Sequence, residues 1–133
     1  MPIKDKKRMT LSKQKNKLQI IVNAYIRKRD SKDGYFTCIS CGKTLPIESM
    51  NAGHYVPVSK SQFLRFNEDN IHGECAGDNC FNEYHLIPYR KNLINKIGLA
   101  RVLWLEEMAE QAKLYKHTRQ ELDEIELKYM EGK

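Results

Sequence analysis

Long apolar runs are missing from this chain. Stretches such as Val102-Leu103-Trp104-Leu105 fall far short of the roughly 20 residues that a membrane-spanning helix requires. No spanning segment and no membrane partner are therefore expected. A signal-peptide pattern is missing too, because Lys4 to Arg8 is followed by further lysines where an apolar stretch would stand. The expected location is intracellular and cytoplasmic. Cysteine is sparse: four in all, set as two close pairs. In a reducing compartment such pairs read as metal ligands, which disfavours a disulfide-stapled secreted scaffold. Acidic residues are nearly absent from positions 1–17, where Asp5 alone faces Lys4, Lys6, Lys7, Arg8, Lys13, Lys15 and Lys17. The chain has neither an internal repeat nor a low-complexity tract.

What is present describes a folded protein. Of the 133 residues, 41% are hydrophobic and 30% charged, a globular composition with room for one modest core. The net charge of +6 is unevenly placed, since from Thr118 onward Glu121, Asp123, Glu124, Glu126 and Glu131 outnumber Arg119, Lys128 and Lys133. A basic arm on a near-neutral remainder favours a polyanion partner through counterion release. Lys13 and Lys17 are its candidate DNA contacts; the plainer alternative is a solvated, frayed terminus.

We expect a basic flexible arm over 1–10 and a single domain over 11–133. Leu18, Ile21, Val22, Tyr25 and Ile26 recur at helical spacing and predict a helix over 11–30. Asp33-Gly34 then turns the chain into a short strand, Tyr35-Phe36-Thr37. Tyr55-Val56-Pro57-Val58 reads as a further strand and its stop. Residues 35–87 hold every cysteine and three of the four histidines, with little regular helix. Helix returns over 88–131, beginning near Pro88 with Leu93, Ile94 and Ile97 inward. After Gly98 it continues to about Leu114, with Leu103, Trp104, Ala109 and Ala112 toward the core. Thr118-Arg119-Gln120-Glu121 has capping-box spacing and starts a last helix, with Leu122, Ile125 and Tyr129 inward.

Cys38-x2-Cys41 and Cys75-x4-Cys80 supply four thiolates, enough for a structural zinc site. Such a site contributes roughly 10–16 kcal/mol to folding, comparable with a domain's whole stability. Between the pairs lies Ala52-Gly53-His54-Tyr55, and a histidine clamped in this way suits work on a phosphodiester. A neutral imidazole can accept a proton from water, and a divalent cation can neutralise the charge that develops on the leaving oxygen. Asn70-Ile71-His72 follows. Asn82 and His85 share one face of a short helical turn. Arg65 and Arg90 flank this region and could hold neighbouring phosphates.

Cys-x2-Cys, Ala-Gly-His-Tyr, Leu-Arg-Phe, Asn-Ile-His, a second cysteine pair and Pro-Tyr-Arg, in that order, resemble the NinG/Rap recombination proteins of lambdoid phages. The likeness runs through residues 38–98. It implies membership of the HNH, or His-Me finger, nucleases and an α+β fold: a zinc-braced ββα-metal core flanked by an N-terminal helix and C-terminal helices. It further implies an endonuclease acting on branched recombination intermediates such as D-loops and Holliday-type junctions, in the host cytoplasm. On this likeness His54 is the general base, and Asn70 holds the hairpin loop and orients it. Cys38, Cys41, Cys75 and Cys80 are the zinc ligands. Asn82 or His85 takes the ligand position for a catalytic Mg²⁺ or Mn²⁺. Two departures stand out: Gly53 precedes the base where HNH proteins carry Asp or His, and Phe81 rather than Asn follows the last cysteine. His72 is the candidate to fill the resulting gap.

Three other readings remain open. The chain could be a zinc-dependent DNA-binding module without activity, a sequence-specific HNH nuclease, or a helical interaction protein stapled by zinc. A homodimer formed through the C-terminal helices would suit symmetric cutting of a junction.

Overall fold

Helix α1 spans Leu11–Asp30, as its apolar spacing predicts. The Thr10 hydroxyl caps it by accepting from the Lys13 amide at 3.2 Å. The computed structural model describes residues 8–81 and 83–132, and the side chains of Cys80 and Phe81 lie outside that description. Leu18, Val22 and Ile26 of α1 are fully buried, and Ile21 and Tyr25 pack at the edge of their cluster. From α1 the chain enters β1 (Ser31–Lys32), reverses at Asp33-Gly34, and returns as β2 (Tyr35–Thr37) and then β3 (Thr44–Pro46). Positive φ at both turn residues, 55° and 84°, is the geometry that closes a two-residue hairpin. The strands form an antiparallel sheet in the order β1-β2-β3.

A second sheet pairs β4 (Met50–His54) with β5 (Ile71–Cys75), in register from Met50 opposite Cys75 to His54 opposite Ile71. Alternation gives this hairpin two faces. Ala52 and Ile71 pack on the α1 cluster. Gly53, His72 and Glu74 belong to the other face. The strand predicted at Tyr55–Val58 is not formed. The Asn70 side chain takes both backbone groups of Val56, accepting its N–H at 2.9 Å and donating to its C=O at 3.0 Å, so no strand partner is needed.

Four helices follow: α2 (Ala76–Phe81), α3 (Leu86–Ile97), α4 (Leu99–Gln111) and α5 (Arg119–Met130). Helix α3 begins two residues before Pro88, which sits in the first turn where its missing N–H costs nothing. Gly98, at φ 95°, separates α3 from α4. The inward face of α4 differs from the expected one. Val102 and Leu105 are buried, whereas Leu103 and Trp104 are 48% and 41% exposed. Apolar residues occupy so many positions of this helix that spacing alone does not select a face. Thr118 and Glu121 form the expected capping box, with bonds of 3.1 and 2.7 Å.

The helices do not gather into one bundle. Leu122 and Tyr129 of α5 join Leu18, Val22 and Ile26 of α1, whereas α3 and α4 pack with Ile39, Val56 and Leu64. The charge asymmetry of the sequence is partly consumed internally. Arg8 pairs with Asp123 at 2.9 Å and Lys17 with Glu126 at 3.1 Å. The rest of the predicted arm, residues 1–7, lies outside the described residues. Among the described residues no helix is long and apolar enough to cross a membrane.

A candidate metal centre and a histidine at the hairpin end

The knuckle Cys38–Cys41 follows β2. Its turn closes through the Gly42 amide, which donates to the Cys38 carbonyl at 2.9 Å, with Gly42 at φ 76°. The Ile39 amide donates to the Gly73 carbonyl at 3.0 Å and ties the knuckle to β5. Cys38, Cys41, Cys75 and Asp78 thereby converge, with one ligand atom of each lying within 4.8 Å of all the others. The three cysteines are free thiols. Backbone amides of Ser40, Cys41 and Cys75 point at Cys38 Sγ from 3.4, 3.4 and 3.2 Å. Burial is the largest influence pushing the Cys75 thiol up to about 12 and raising Cys41 above its ordinary value. A bound cation reverses that balance, because it stabilises the deprotonated sulfur. Three thiols and a carboxylate at this spacing could hold a metal such as zinc.

Asp78 was not singled out from the sequence. The available signal was its position three residues after Cys75, one turn along a helix start. The side chain of Cys80, the fourth expected ligand, lies outside the described residues, and so does Asn82.

His54 ends β4. Its Nε2 lies 2.8 Å from the Arg65 carbonyl oxygen. A carbonyl only accepts, so Nε2 carries the proton and Nδ1 of the neutral ring is left as an acceptor. Burial lowers its pKa below the ordinary histidine value, opposed by the bond to the Arg65 carbonyl and reinforced by the Arg65 charge. The loop that supplies this carbonyl is fixed by Asn70. Besides its two bonds to Val56, Asn70 Nδ2 donates to the Leu64 carbonyl at 3.3 Å. The Tyr55 amide also donates to the Asn70 carbonyl at 2.8 Å. One fully buried amide thus holds both ends of the segment that positions the His54 ring.

His72 does not fill the gap beside Gly53. Its Nε2 meets the Asp69 carbonyl at 2.7 Å, and its Nδ1 faces Lys96 Nζ at 2.9 Å and Arg29 at 3.1 Å. Burial, then the Lys96 charge, lowers its pKa to about 4. Both ring nitrogens are engaged and two cations face one of them, which repels a divalent ion. His85 is differently placed: its Nδ1 lies 2.6 Å from Oε2 of the fully buried Glu74, whose same oxygen accepts from the Ser40 hydroxyl.

Of the expected DNA contacts, Arg90 is ion-paired to Glu106 at 2.6 Å. Arg65 donates to Gln19 and Asn16 of α1 at 3.0 and 3.2 Å, and Lys17 is paired as described. Lys13 lies on the exposed first turn of α1.

Comparison with known proteins gives a single family. Residues 2–132 match the model of the family described as bacteriophage lambda NinG protein. Protein ninG of Salmonella phage P22 is 39% identical over 113 residues, covering 85% of this chain and 52% of the relative. Protein ninG of Escherichia phage 933W is 39% identical over 85% of this chain and 53% of its own length. Protein ninG of Escherichia phage lambda is 38% identical over 85% and 52%. The chain thus spans about half the length of these relatives. No solved structure matches. The chain belongs to the NinG family of bacteriophage proteins.

Proposed function

We propose that this chain is a metal-dependent DNA endonuclease of the HNH type, cutting branched recombination intermediates. The observation that carries the reading is His54 at the end of β4, its Nε2–H given to the Arg65 carbonyl, which makes Nδ1 the acceptor nitrogen of the neutral ring. This is the protonation pattern a general base needs before it takes a proton from water. The order strand, loop, strand, helix through β4, β5 and α2 supports the ββα reading. The loop held by Asn70 supports it further, since a base must be oriented as well as neutral.

In this reading Asn70 acts through the loop, and His54 removes the proton of the attacking water. The cluster of Cys38, Cys41, Cys75 and Asp78 holds zinc and anchors the start of α2 against the hairpin. A divalent Mg²⁺ or Mn²⁺, when bound, neutralises charge at the scissile phosphate. Exposed Lys13 meets the DNA backbone; Arg65 and Arg90 reach it only by exchanging their present partners.

The pairing of Arg90 and Lys17 with acids favours a second reading, a zinc-braced module that binds DNA weakly and cuts nothing. Labelled D-loops, four-way junctions and plain duplex, incubated with Mg²⁺ or Mn²⁺, separate the two. Cutting of the branched substrates alone supports the structure-selective nuclease. A fixed cut site in plain duplex indicates a sequence-specific enzyme, and binding without cutting indicates the module.

A further inference from the structure

The hairpin face opposite α1 gathers oxygen acceptors around a missing side chain. A Cβ placed on Gly53 would stand 2.5 Å from Glu74 Oε1 and 3.2 Å from Asn79 Oδ1. A side chain at this point of β4 would displace the Glu74 carboxylate from its present place. The two oxygens of that carboxylate are treated differently. Oε2 receives the Ser40 hydroxyl and lies 2.6 Å from His85 Nδ1. Oε1 is fully enclosed and has no hydrogen-bond partner among the described residues. A buried carboxylate oxygen without a donor is costly. Beside it lies another acceptor, the Asn79 oxygen, and a cation satisfies two neighbouring acceptors where no proton is supplied.

We propose that Glu74 and Asn79 form a divalent-cation site over Gly53, in which Glu74 supplies the carboxylate that position 53 itself lacks. Ser40 and His85 are positioning residues: they hold Oε2 and so turn Oε1 toward the cation. Carboxylate and amide oxygens select a hard ion, Mg²⁺ or Mn²⁺, whereas the thiolates of the other cluster select zinc. The site lies one residue from His54 along β4 but on the opposite face of the hairpin, because His54 pairs with Ile71 on the α1 side. Its catalytic meaning rests on the nuclease reading, but its existence does not.

The test is Mn²⁺ binding to the zinc-saturated full chain, read from the electron paramagnetic resonance signal of free Mn²⁺. Wild type, Glu74→Gln, Asn79→Ala and His54→Ala are compared, with folding checked by circular dichroism. The site predicts Mn²⁺ uptake by wild type and His54→Ala. Affinity should be lower by about tenfold or more in Glu74→Gln and also reduced in Asn79→Ala. If Glu74→Gln does not fold, Asn79→Ala on the half-buried rim carries the comparison. Equal affinity in the folded variants overturns the proposal. So does an absence of Mn²⁺ uptake by wild type, the result expected if the Asn79 amide is turned so that its NH₂ serves Oε1. Failure of the nuclease reading looks different: Mn²⁺ bound through Glu74, with no DNA cut by wild type.

Discussion

At the scale of single residues, His54 and Asn70 divide one task. His54 presents an acceptor nitrogen, and Asn70 fixes the loop whose carbonyl sets the ring's tautomer. Replacing His54 with Ala should lower cleavage by about 10²–10⁴-fold without unfolding the protein, measured as initial rates on a branched substrate. The pH profile offers a second check. Burial lowers the His54 pKa, so the neutral base persists to more acidic pH than a free histidine would allow. The acid limb of kcat/KM should therefore bend below 6.5, the ordinary histidine value. A limb bending above that value would argue for another base. The motif Gly-His-Tyr was legible in the sequence because it lies between two cysteine pairs. Glu74 was not, since a glutamate beside a cysteine carries no periodic or spacing signal. Its role depends on a contact across β4 and β5 that only pairing creates. His72 misled for the same reason: an Asn-Ile-His string does not reveal that Lys96 and Arg29 arrive from two other elements.

At the scale of elements, the hairpin of β4 and β5 is held from both faces. Ile71 and Ala52 pack on α1, and from the other side the Tyr89 hydroxyl of α3 donates to the Gly53 carbonyl at 2.6 Å. Tyr89→Phe removes that buried hydrogen bond and should cost about 0.5–1.5 kcal/mol in urea unfolding. Asn70→Ala removes three bonds at once and should cost on the order of 2–3 kcal/mol. It should also speed hydrogen exchange across residues 55–69 and lower kcat more than it raises KM. Helix α1, the capping box of α5 and the strand β2 were readable in advance because each has a local cause: apolar spacing, a Thr-x-x-Glu pair, or an aromatic and β-branched run after a turn. The strands β4 and β5 were not, because Met50-Asn51-Ala52-Gly53-His54 has weak strand propensity and forms through its partner. The face of α4 was lost to an excess of apolar residues, a case where the pattern is present but does not choose.

At the scale of the molecule, two apolar clusters flank the hairpin, and the Cys38, Cys41, Cys75 and Asp78 group lies where β2, β5 and α2 meet. Few large side chains bury there: Phe36, Cys38 and Met50 form the smallest cluster. A metal held by that group would supply the stability that so few buried side chains leave wanting. Removing zinc with a strong chelator should lower the thermal midpoint by more than about 15 °C, and Cys38→Ser should reproduce the loss with reduced zinc content. An unchanged midpoint would leave the thiols as ordinary reduced cysteines. Salt should act on the whole chain as well. With Lys17, Arg8 and Arg90 engaged by acids, DNA binding should show a shallow dependence on salt, reflecting few phosphate contacts. The central claim is that the chain cuts branched DNA through His54. Its most direct test is cleavage of a labelled four-way junction in Mn²⁺ by zinc-loaded wild type and by folded His54→Ala. The account predicts cutting by the first and a rate lower by about 10²-fold or more in the second. Equal cutting by both, or binding without cutting by either, would contradict it.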